Sequence, residues 1–198
     1  MRDRTPRPGV TRYAGLVPSP SPLASDRLVL RPFDAILSEA RARYQALPEV
    51  ARYLYRPPLT PEQSRDSALR NPERRFERAG DQLLFAVVGA GDGALVGEVV
   101  ATLENPAAGQ VEVGWIFDPA SAGRGYATEA ALLLLGALFA EHRAHRIFAR
   151  LDVENDASRR ICERLGMRQE AHLVENDLDG ERRGSEYVYA ILAREFAA

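Results

Sequence analysis

A glycine-rich turn is the feature of this chain whose residue types and spacing point most directly to chemistry. It lies in "PASAGRGYATEA", immediately before an almost wholly apolar run. The first N–H groups of a helix lack intrahelical partners and lie at the positive end of its dipole. Glycines at the entry leave those groups open to an anion, so the turn predicts a phosphate cradle. Its residues are Ala122, Gly123, Arg124, Gly125, Tyr126 and Ala127.

The same glycines would also suit a turn that only lets a helix pack closely on a sheet. A single G-x-G does not separate these two interpretations. Two better-known phosphate loops fit poorly. The turn contains no G-K-[S/T] sequence, which excludes a P-loop, and Thr128 stands where a dinucleotide-binding fingerprint has glycine.

A second group of candidates lies in "DASRRICERLGM". Helical spacing places Ser158, Ile161, Cys162 and Leu165 on one inward face of this segment. A buried cysteine is more often an inert core residue than a reactive one. Elsewhere, the histidines of "EHRAHR" have no third ligand nearby, so no metal site is expected.

These candidates need a strand, turn, helix and strand to position them. "QVEVGWIF" predicts a strand, residues 126–141 a long helix and "RIFARLDV" the next strand. A βαβ unit of this kind makes its two strands parallel. "DRLVLRPF", "QLLFAVV" and "ALVGEVVATL" predict three earlier strands, and "SEYVYAIL" predicts a last one. Two or three short helices are predicted in residues 34–79, one of them capped by Thr60 with Pro61 at its first position.

The composition bounds the class of protein. Of 198 residues 45% are hydrophobic, enough for one sizeable core, which we place at residues 26–198 after a proline-rich arm at 1–25. The net charge of −2 gives no sign of a nucleic-acid or anionic-membrane partner. The single cysteine fits a reducing cytosol. The longest apolar run, residues 130–140, is too short to span a bilayer and no signal peptide is visible, so a cytoplasmic protein is expected.

The order of these elements, with "DPASAGRGYATEA" between a strand and the long helix, resembles the GCN5-related N-acetyltransferase (GNAT) superfamily. The family motif Q/R-x-x-G-x-G/A falls on Ala122, Gly125 and Ala127, and a second motif matches "NDASRRICERLGM". "DRLVLRP" and "VEVGWIF" also match, so the resemblance covers about residues 26–192. It is closest to the ribosomal-protein-alanine acetyltransferase-like branch.

Three positions depart from the family pattern. Ala122 replaces a glutamine or arginine, Met167 replaces an aromatic residue, and Cys162 stands where many relatives carry a catalytic tyrosine. The resemblance implies an α/β fold: a mixed, mostly antiparallel sheet, splayed between the fourth and fifth predicted strands and flanked by helices.

The resemblance further implies acetyl-CoA as co-substrate, without a metal. The pyrophosphate would lie on the glycine turn, and the pantetheine arm would bond to the backbone of Trp115, Ile116 and Phe117 along the splayed strand edge. Asn155 would hold the cofactor from the other side. It could also cap the following helix, although Asp156 is the better-placed cap by sequence.

The implied reaction moves an acetyl group to a primary amine, on a protein N-terminus or a small molecule. Ser158 is the expected proton donor to the thiolate, as in relatives with serine at this place. Two carboxylates compete for the role of base. Glu112 alternates with apolar neighbours on its strand and is slightly favoured over Asp177, which lies where related ribosomal-protein enzymes place a glutamate.

Two other classes of function remain open. The missing tyrosine and the altered Ala122 would also suit a non-catalytic acyl-CoA-binding module. A nucleotide-binding regulator would instead be protected better by ATP or NAD than by acetyl-CoA. The expected partner is the amine acceptor, with neither a membrane nor direct nucleic-acid binding, and a homodimer is compatible with the sequence.

Overall fold

The computed structural model describes residues 23–70 and 75–196. Its strands are β1 (Leu23–Ala24), β2 (Leu28–Arg31), β3 (Gln82–Gly89), β4 (Leu95–Asn105), β5 (Gln110–Phe117), β6 (Arg146–Asp152), β7 (Arg168–Asp179) and β8 (Arg182–Leu192). Its helices are α1 (Ala35–Gln45), α2 (Pro48–Ala51), α3 (Pro61–Ala68), α4 (Tyr126–Ala140) and α5 (Asp156–Arg164), with 3₁₀ turns at Pro106–Ala108 and Pro119–Ser121.

All the strands of the described ranges join one sheet in the order β1-β2-β3-β4-β5-β6-β8-β7. Neighbouring strands are antiparallel except β5 and β6, which are parallel and are connected by the crossover helix α4. The expected α/β fold with a mixed, mostly antiparallel sheet is confirmed.

The sheet opens where its two parallel strands part. Pairing between β5 and β6 stops at Glu112 opposite Phe148. β5 nevertheless stays paired with β4 as far as Phe117, and β6 with β8 as far as Asp152. The result is a wedge-shaped gap between residues 113–117 and residues 149–152, at the place where the sheet was predicted to splay.

Helices cover both faces of the sheet. α4 and α5 pack on the face with the main core, which includes Leu135 and Cys162. α1 and α3 lie over a smaller apolar cluster on the opposite face. Because side chains alternate along a strand, the buried Val111 and Val113 face α4, whereas Glu112 faces the side of α1 and α3, as its sequence pattern predicts.

The short helices between β2 and β3 follow their sequence signals. Thr60 caps α3 through the N–H of Gln63, the Gln63 side chain reaches back to Thr60, and Pro61 takes the first helical position. This prediction is confirmed. None of the helices in the described ranges has the length and apolar character needed to cross a membrane. The same ranges contain no group of three or more His, Cys, Asp and Glu side chains placed to hold a metal ion.

Two strands were not predicted from the sequence. β7 lies at the edge of the sheet with Val174 and Leu178 exposed, and its register shifts between Leu173 and Asp177, so it lacks a regular apolar alternation. β1 pairs with β2, although it falls in the segment expected to form an arm. Residues 1–22 of that arm lie outside the described residues.

Candidate functional site

The glycine turn leads from β5 into α4. After the 3₁₀ turn, Gly123 and Gly125 adopt left-handed backbone conformations with φ of 77° and 79°, which glycine tolerates and other residues rarely adopt. Ala122 is extended, and its N–H bonds to the carbonyl of Pro119. The donor of this predicted cradle residue is therefore already used.

The N-terminus of α4 is open. Gly125 is its N-cap and supplies no side-chain hydrogen bond, while the N–H groups of Tyr126, Ala127 and Thr128 have no partner within the helix. A Cβ atom at the exposed Gly125 would meet only a guanidinium nitrogen of Arg27 within 4 Å, at 3.8 Å. Open donors, the positive end of the helix dipole and free space together make this turn suitable for an anion.

A polar clamp formed by Ser25, Arg27 and Glu129 holds the start of α4. Both Ser25 and Arg27 donate to the Glu129 carboxylate, Ser25 at 2.5 Å. Arg27 also donates to the carbonyl of Arg124 at 3.2 Å and lies over the ring of Tyr126. Burial opposes ionisation of Glu129, but the hydrogen bonds from Arg27 and Ser25 outweigh it and lower its pKa. The clamp fixes the turn through side chains and a carbonyl, and so leaves the helix N–H groups open.

The open edge of β5 presents backbone groups to the gap. Successive residues in an antiparallel ladder direct these groups alternately to either side, and the N–H of Asp118 bonds to Val96 on β4. Trp115 and Phe117 therefore direct their backbone groups into the gap, where no described strand pairs with them. The backbone of Ile116, which the resemblance assigned to the cofactor as well, is directed to β4 instead.

The start of α5 lies across the gap from β5. The Oδ1 atom of Asn155 accepts the N–H of Ser158 at 3.0 Å, so Asn155 is the cap and the expectation that Asp156 caps this helix is wrong. Asp156 pairs with Arg159. The indole N–H of Trp115 donates to Ser158 Oγ at 3.2 Å. Because Trp115 can only donate, the hydroxyl hydrogen of Ser158 is left for another acceptor.

Cys162 lies one helical turn beyond Ser158 and belongs to the core. Its side chain is fully buried, and this desolvation raises the thiol pKa to about 12. A protonated thiol inside the core neither donates readily nor reaches a substrate. The position that holds tyrosine in many relatives therefore supplies no acid here.

Glu112 lies at the closed end of the gap, as the last β5 residue paired with β6. Arg150 holds both of its carboxylate oxygens, with Nε to Oε1 at 3.0 Å and a terminal nitrogen to Oε2 at 3.3 Å. The hydrogen bond to Glu112 in turn raises the pKa of Arg150. Arg150 is 47% exposed, so this ion pair lies at the surface of the protein and not in its core.

Asp177 lies away from the gap, on β7. It is exposed, pairs with Gly184 on β8, and accepts the N–H of its neighbour Leu178. β8 separates β7 from β6, which puts Asp177 about 10 Å from β6 at ordinary strand spacing. The ring of Tyr55 packs against Gly184. The structure therefore does not bring Asp177 and Glu112 together.

Sequence reasoning missed a buried polar network on the face covered by α1 and α3. Glu98 on β4 is only 3% exposed, and both of its oxygens accept from the guanidinium of Arg41, at 2.5 and 2.8 Å. Tyr44 and Gln45 donate to it as well, at 2.6 and 3.1 Å. The sequence feature that could have revealed this network is the carboxylate inside the apolar strand "LVGEVVATL", since a charged side chain there requires buried partners.

Comparison with known proteins agrees with this geometry. The family model described as "Acetyltransferase (GNAT) domain" matches residues 27–168. A Bacillus subtilis protein named "Uncharacterized N-acetyltransferase YnaD" is 29% identical over 174 residues, covering 88% of this chain and 98% of its own.

Solved structures give the same result. An acetyltransferase of the GNAT family from Bacillus anthracis is 32% identical with a TM-score of 0.79, covering 87% of this chain and 98% of its own. A spermidine N-acetyltransferase from Vibrio cholerae, solved with CoA and spermine, is 20% identical with a TM-score of 0.76 over 87% of this chain and 99% of its own, and shares the fold. With a split sheet, an open helix N-terminus beside it and a family match over most of its length, this chain belongs to the GNAT acetyltransferase family.

Proposed function

We propose that this chain is an N-acetyltransferase that moves an acetyl group from acetyl-CoA to a primary amine within one ternary complex. The proposal rests on one observation: two sets of unpaired backbone groups lie at the same gap in the sheet. The open N-terminus of α4 follows β5 directly, and the unpaired edge of β5 leads back from it. A CoA thioester needs this combination, because its pyrophosphate is joined to an extended, amide-containing arm.

Each residue of the site would contact a particular part of the cofactor. The backbone of the turn would hold the pyrophosphate, Arg124 would add a counter-charge, and Ala122 would border the site without its own donor. Trp115 and Phe117 would bond to the pantetheine arm, and the Asn155 side chain would approach it from α5. The cofactor-binding residues of the turn are Gly123, Arg124, Gly125, Tyr126 and Ala127.

Bound acetyl-CoA supplies an acetyl thioester, whose leaving group is a thiolate. In the transfer a nitrogen–carbon bond forms, the carbon–sulfur bond breaks, one proton leaves the amine and one is taken up by the sulfur. We assign the donor to sulfur to Ser158, with Trp115 orienting its hydroxyl. A thiol pKa of about 8.5 makes thiolate a fair leaving group, so the contribution of this acid is modest.

We assign the base to Glu112 in preference to Asp177. Glu112 lies where the gap closes and on the face opposite α4, whereas Asp177 lies two strands beyond β6. An alkylamine with a pKa of about 10.4 is almost entirely protonated at neutral pH and needs such a base. An α-amine with a pKa of about 7.7–8.0 needs it far less.

The acceptor and the branch of the family stay predictions. A protein N-terminus and a small-molecule amine are both compatible with the gap. The name of the Vibrio cholerae enzyme makes a polyamine one candidate among small amines. The expected resemblance of the sequence motifs to the ribosomal-protein-alanine branch makes a protein N-terminus another candidate.

One observation favours a second candidate, a non-catalytic acyl-CoA-binding module: buried Cys162 offers no acid where relatives carry tyrosine. Free-thiol release from acetyl-CoA with a panel of amines, together with the mass of each amine product, separates the two functions. We expect release that depends on the amine. Binding of acetyl-CoA without release for any amine would establish the module, and stronger protection by ATP or NAD would establish a nucleotide-binding regulator.

A further inference from the structure

A groove of about 1210 Å³ crosses the α1/α3 face of the sheet and reaches the open edge of β5. Half-buried apolar side chains line it, among them Leu59, Leu84, Val100 and Ile116. Ile116 belongs to the edge of the gap, so the groove leads to the place where the proposed function needs the amine. The groove is therefore the natural site for the rest of the acceptor.

The charges in this groove are mainly positive. Among the residues that the structure describes, four arginines and two carboxylates line it: Arg41, Arg56, Arg70, Arg75, Asp81 and Glu98. Both carboxylates are already engaged. Glu98 is held by Arg41, and Asp81 accepts two backbone N–H groups of its own loop. Such a lining would contribute little favourable electrostatic free energy to the binding of a cationic acceptor such as a polyamine.

Arg56 lies half-buried within this lining. It donates to Gln45 Oε1 at 2.5 Å and to the carbonyl of Pro57 at 3.1 Å, and none of the described residues forms an ion pair with it. Gln45 in turn donates to Glu98. Arg56 is thus the second cation of a network that contains one carboxylate. Burial and repulsion from Arg41 lower the pKa of Arg56, and Glu98 offsets this only in part.

A half-buried positive charge without a counter-ion costs free energy that a bound anion would recover. We propose that the acceptor is a primary amine that also carries a carboxylate, which Arg56 binds while the groove holds the carbon skeleton between them. The planar guanidinium suits the two oxygens of a carboxylate. The proposal rests on the proposed function and specifies its acceptor.

Matched amines test this directly. We would compare hexylamine with aminohexanoate, and leucinamide with leucine, by thiol release and product mass. Each kcat/KM is expressed per concentration of neutral amine, because the adjacent carboxylate of leucine favours the protonated form of its amine. The two pairs place the carboxylate far from and next to the amine, so they also distinguish an extended acceptor from an α-amino acid. We expect the carboxylate member of at least one pair to have a kcat/KM at least tenfold higher.

Three variants test whether Arg56 is responsible for the preference for the carboxylate member of a pair. Arg56→Gln should abolish it by raising KM for the carboxylate member alone, and Arg56→Lys should keep part of it. Arg43→Gln, which removes an exposed arginine of α1 outside the groove, should leave it unchanged. Unchanged acetyl-CoA affinity by calorimetry would show that each variant is folded.

A ligand without an amine gives a readout independent of turnover. Hexanoate should bind the wild type but not Arg56→Gln in calorimetry with CoA present, and should compete with the amine rather than with acetyl-CoA. Equal kcat/KM within both wild-type pairs, or equal losses for both members in Arg56→Gln, would overturn the proposal while leaving acetyl transfer intact. Absence of turnover with every amine would instead contradict the proposed function, and hexanoate binding would still report on Arg56.

Discussion

Ser158 and Trp115 form the contact on which the proposed proton donation to the sulfur depends. The indole N–H occupies one lone pair of the Ser158 oxygen and leaves the hydroxyl hydrogen free to point elsewhere. In this proposal Trp115 is a positioning residue, whose effect on turnover should exist only while Ser158 is present.

Removing the hydroxyl should therefore slow turnover without affecting cofactor binding. We expect Ser158→Ala to lower kcat by about 10²-fold or less, with acetyl-CoA affinity close to wild type. Trp115→Phe should lower kcat by a smaller factor in the wild type and not at all in the Ser158→Ala background. Equal kcat in wild type and Ser158→Ala would show that this contact contributes only to packing. An equal loss of kcat from Trp115→Phe in both backgrounds would show the same.

Mutation distinguishes the two candidate bases, Glu112 and Asp177. Glu112→Gln should lower kcat/KM strongly for an alkylamine and weakly for an α-amine, because only the alkylamine is scarce in its neutral form at pH 7. Asp177→Asn serves as the matched control and should have no such effect. The pH profiles of kcat/KM for both variants decide the assignment. If Asp177→Asn has the larger effect and Glu112→Gln has none, Asp177 is the base. If neither variant changes the profile, the amine arrives neutral from solvent.

At the scale of elements, the Ser25–Arg27–Glu129 clamp ties the β1–β2 corner to the start of α4. The hydrogen bonds that lower the pKa of Glu129 stabilise the fold while its carboxylate is ionised. That stabilisation is fully present above the ordinary pKa of about 4.5, and it is lost as the pH falls through the lowered value in the folded protein.

Glu129→Gln should therefore lower the melting temperature at pH 7 by a few degrees at most, since the pair with Arg27 is partly exposed. The difference from wild type should shrink as the pH falls below about 4.5. Thermal melts across this range would measure it, with Glu181→Gln at an exposed turn as the control. A difference that stays constant with pH would show that the charge of Glu129 contributes nothing.

Elements with strong local signals could be predicted from the sequence. The glycines at 123 and 125 mark the entry to α4, and the spacing of Ser158 and Cys162 gives the inward face of α5. The edge strand β7 could not, because its shifted register and exposed apolar residues leave no regular alternation, and the Arg41–Glu98 network could not, because its members are distant in the chain. The cap of α5 was misassigned for a similar reason: Asn155 and Asp156 are both good caps, and the path of the chain out of β6 selects Asn155.

At the scale of the whole molecule, the gap divides the sheet at its only parallel pair among the described strands. α4 and α5 approach the gap from one face, and the groove with Arg56 approaches it from the other. Cofactor and acceptor can therefore enter from opposite sides and meet at the gap. The remaining assignments depend on the proposed acetyl-CoA site, which is formed by the turn before α4 and the open edge of β5.

Calorimetry of acetyl-CoA binding to Gly125→Val tests that site most directly. The added side chain would stand among the N–H groups of the turn, and valine also disfavours the left-handed backbone at this position. Gly93→Val is the matched control, since Gly93 has a φ of 67° and lies in the β3–β4 turn. We predict at least tenfold weaker binding for Gly125→Val, about 1.4 kcal/mol, and wild-type affinity for Gly93→Val. Wild-type affinity in a folded Gly125→Val, or an equal loss in both variants, would contradict acetyl-CoA binding at the turn.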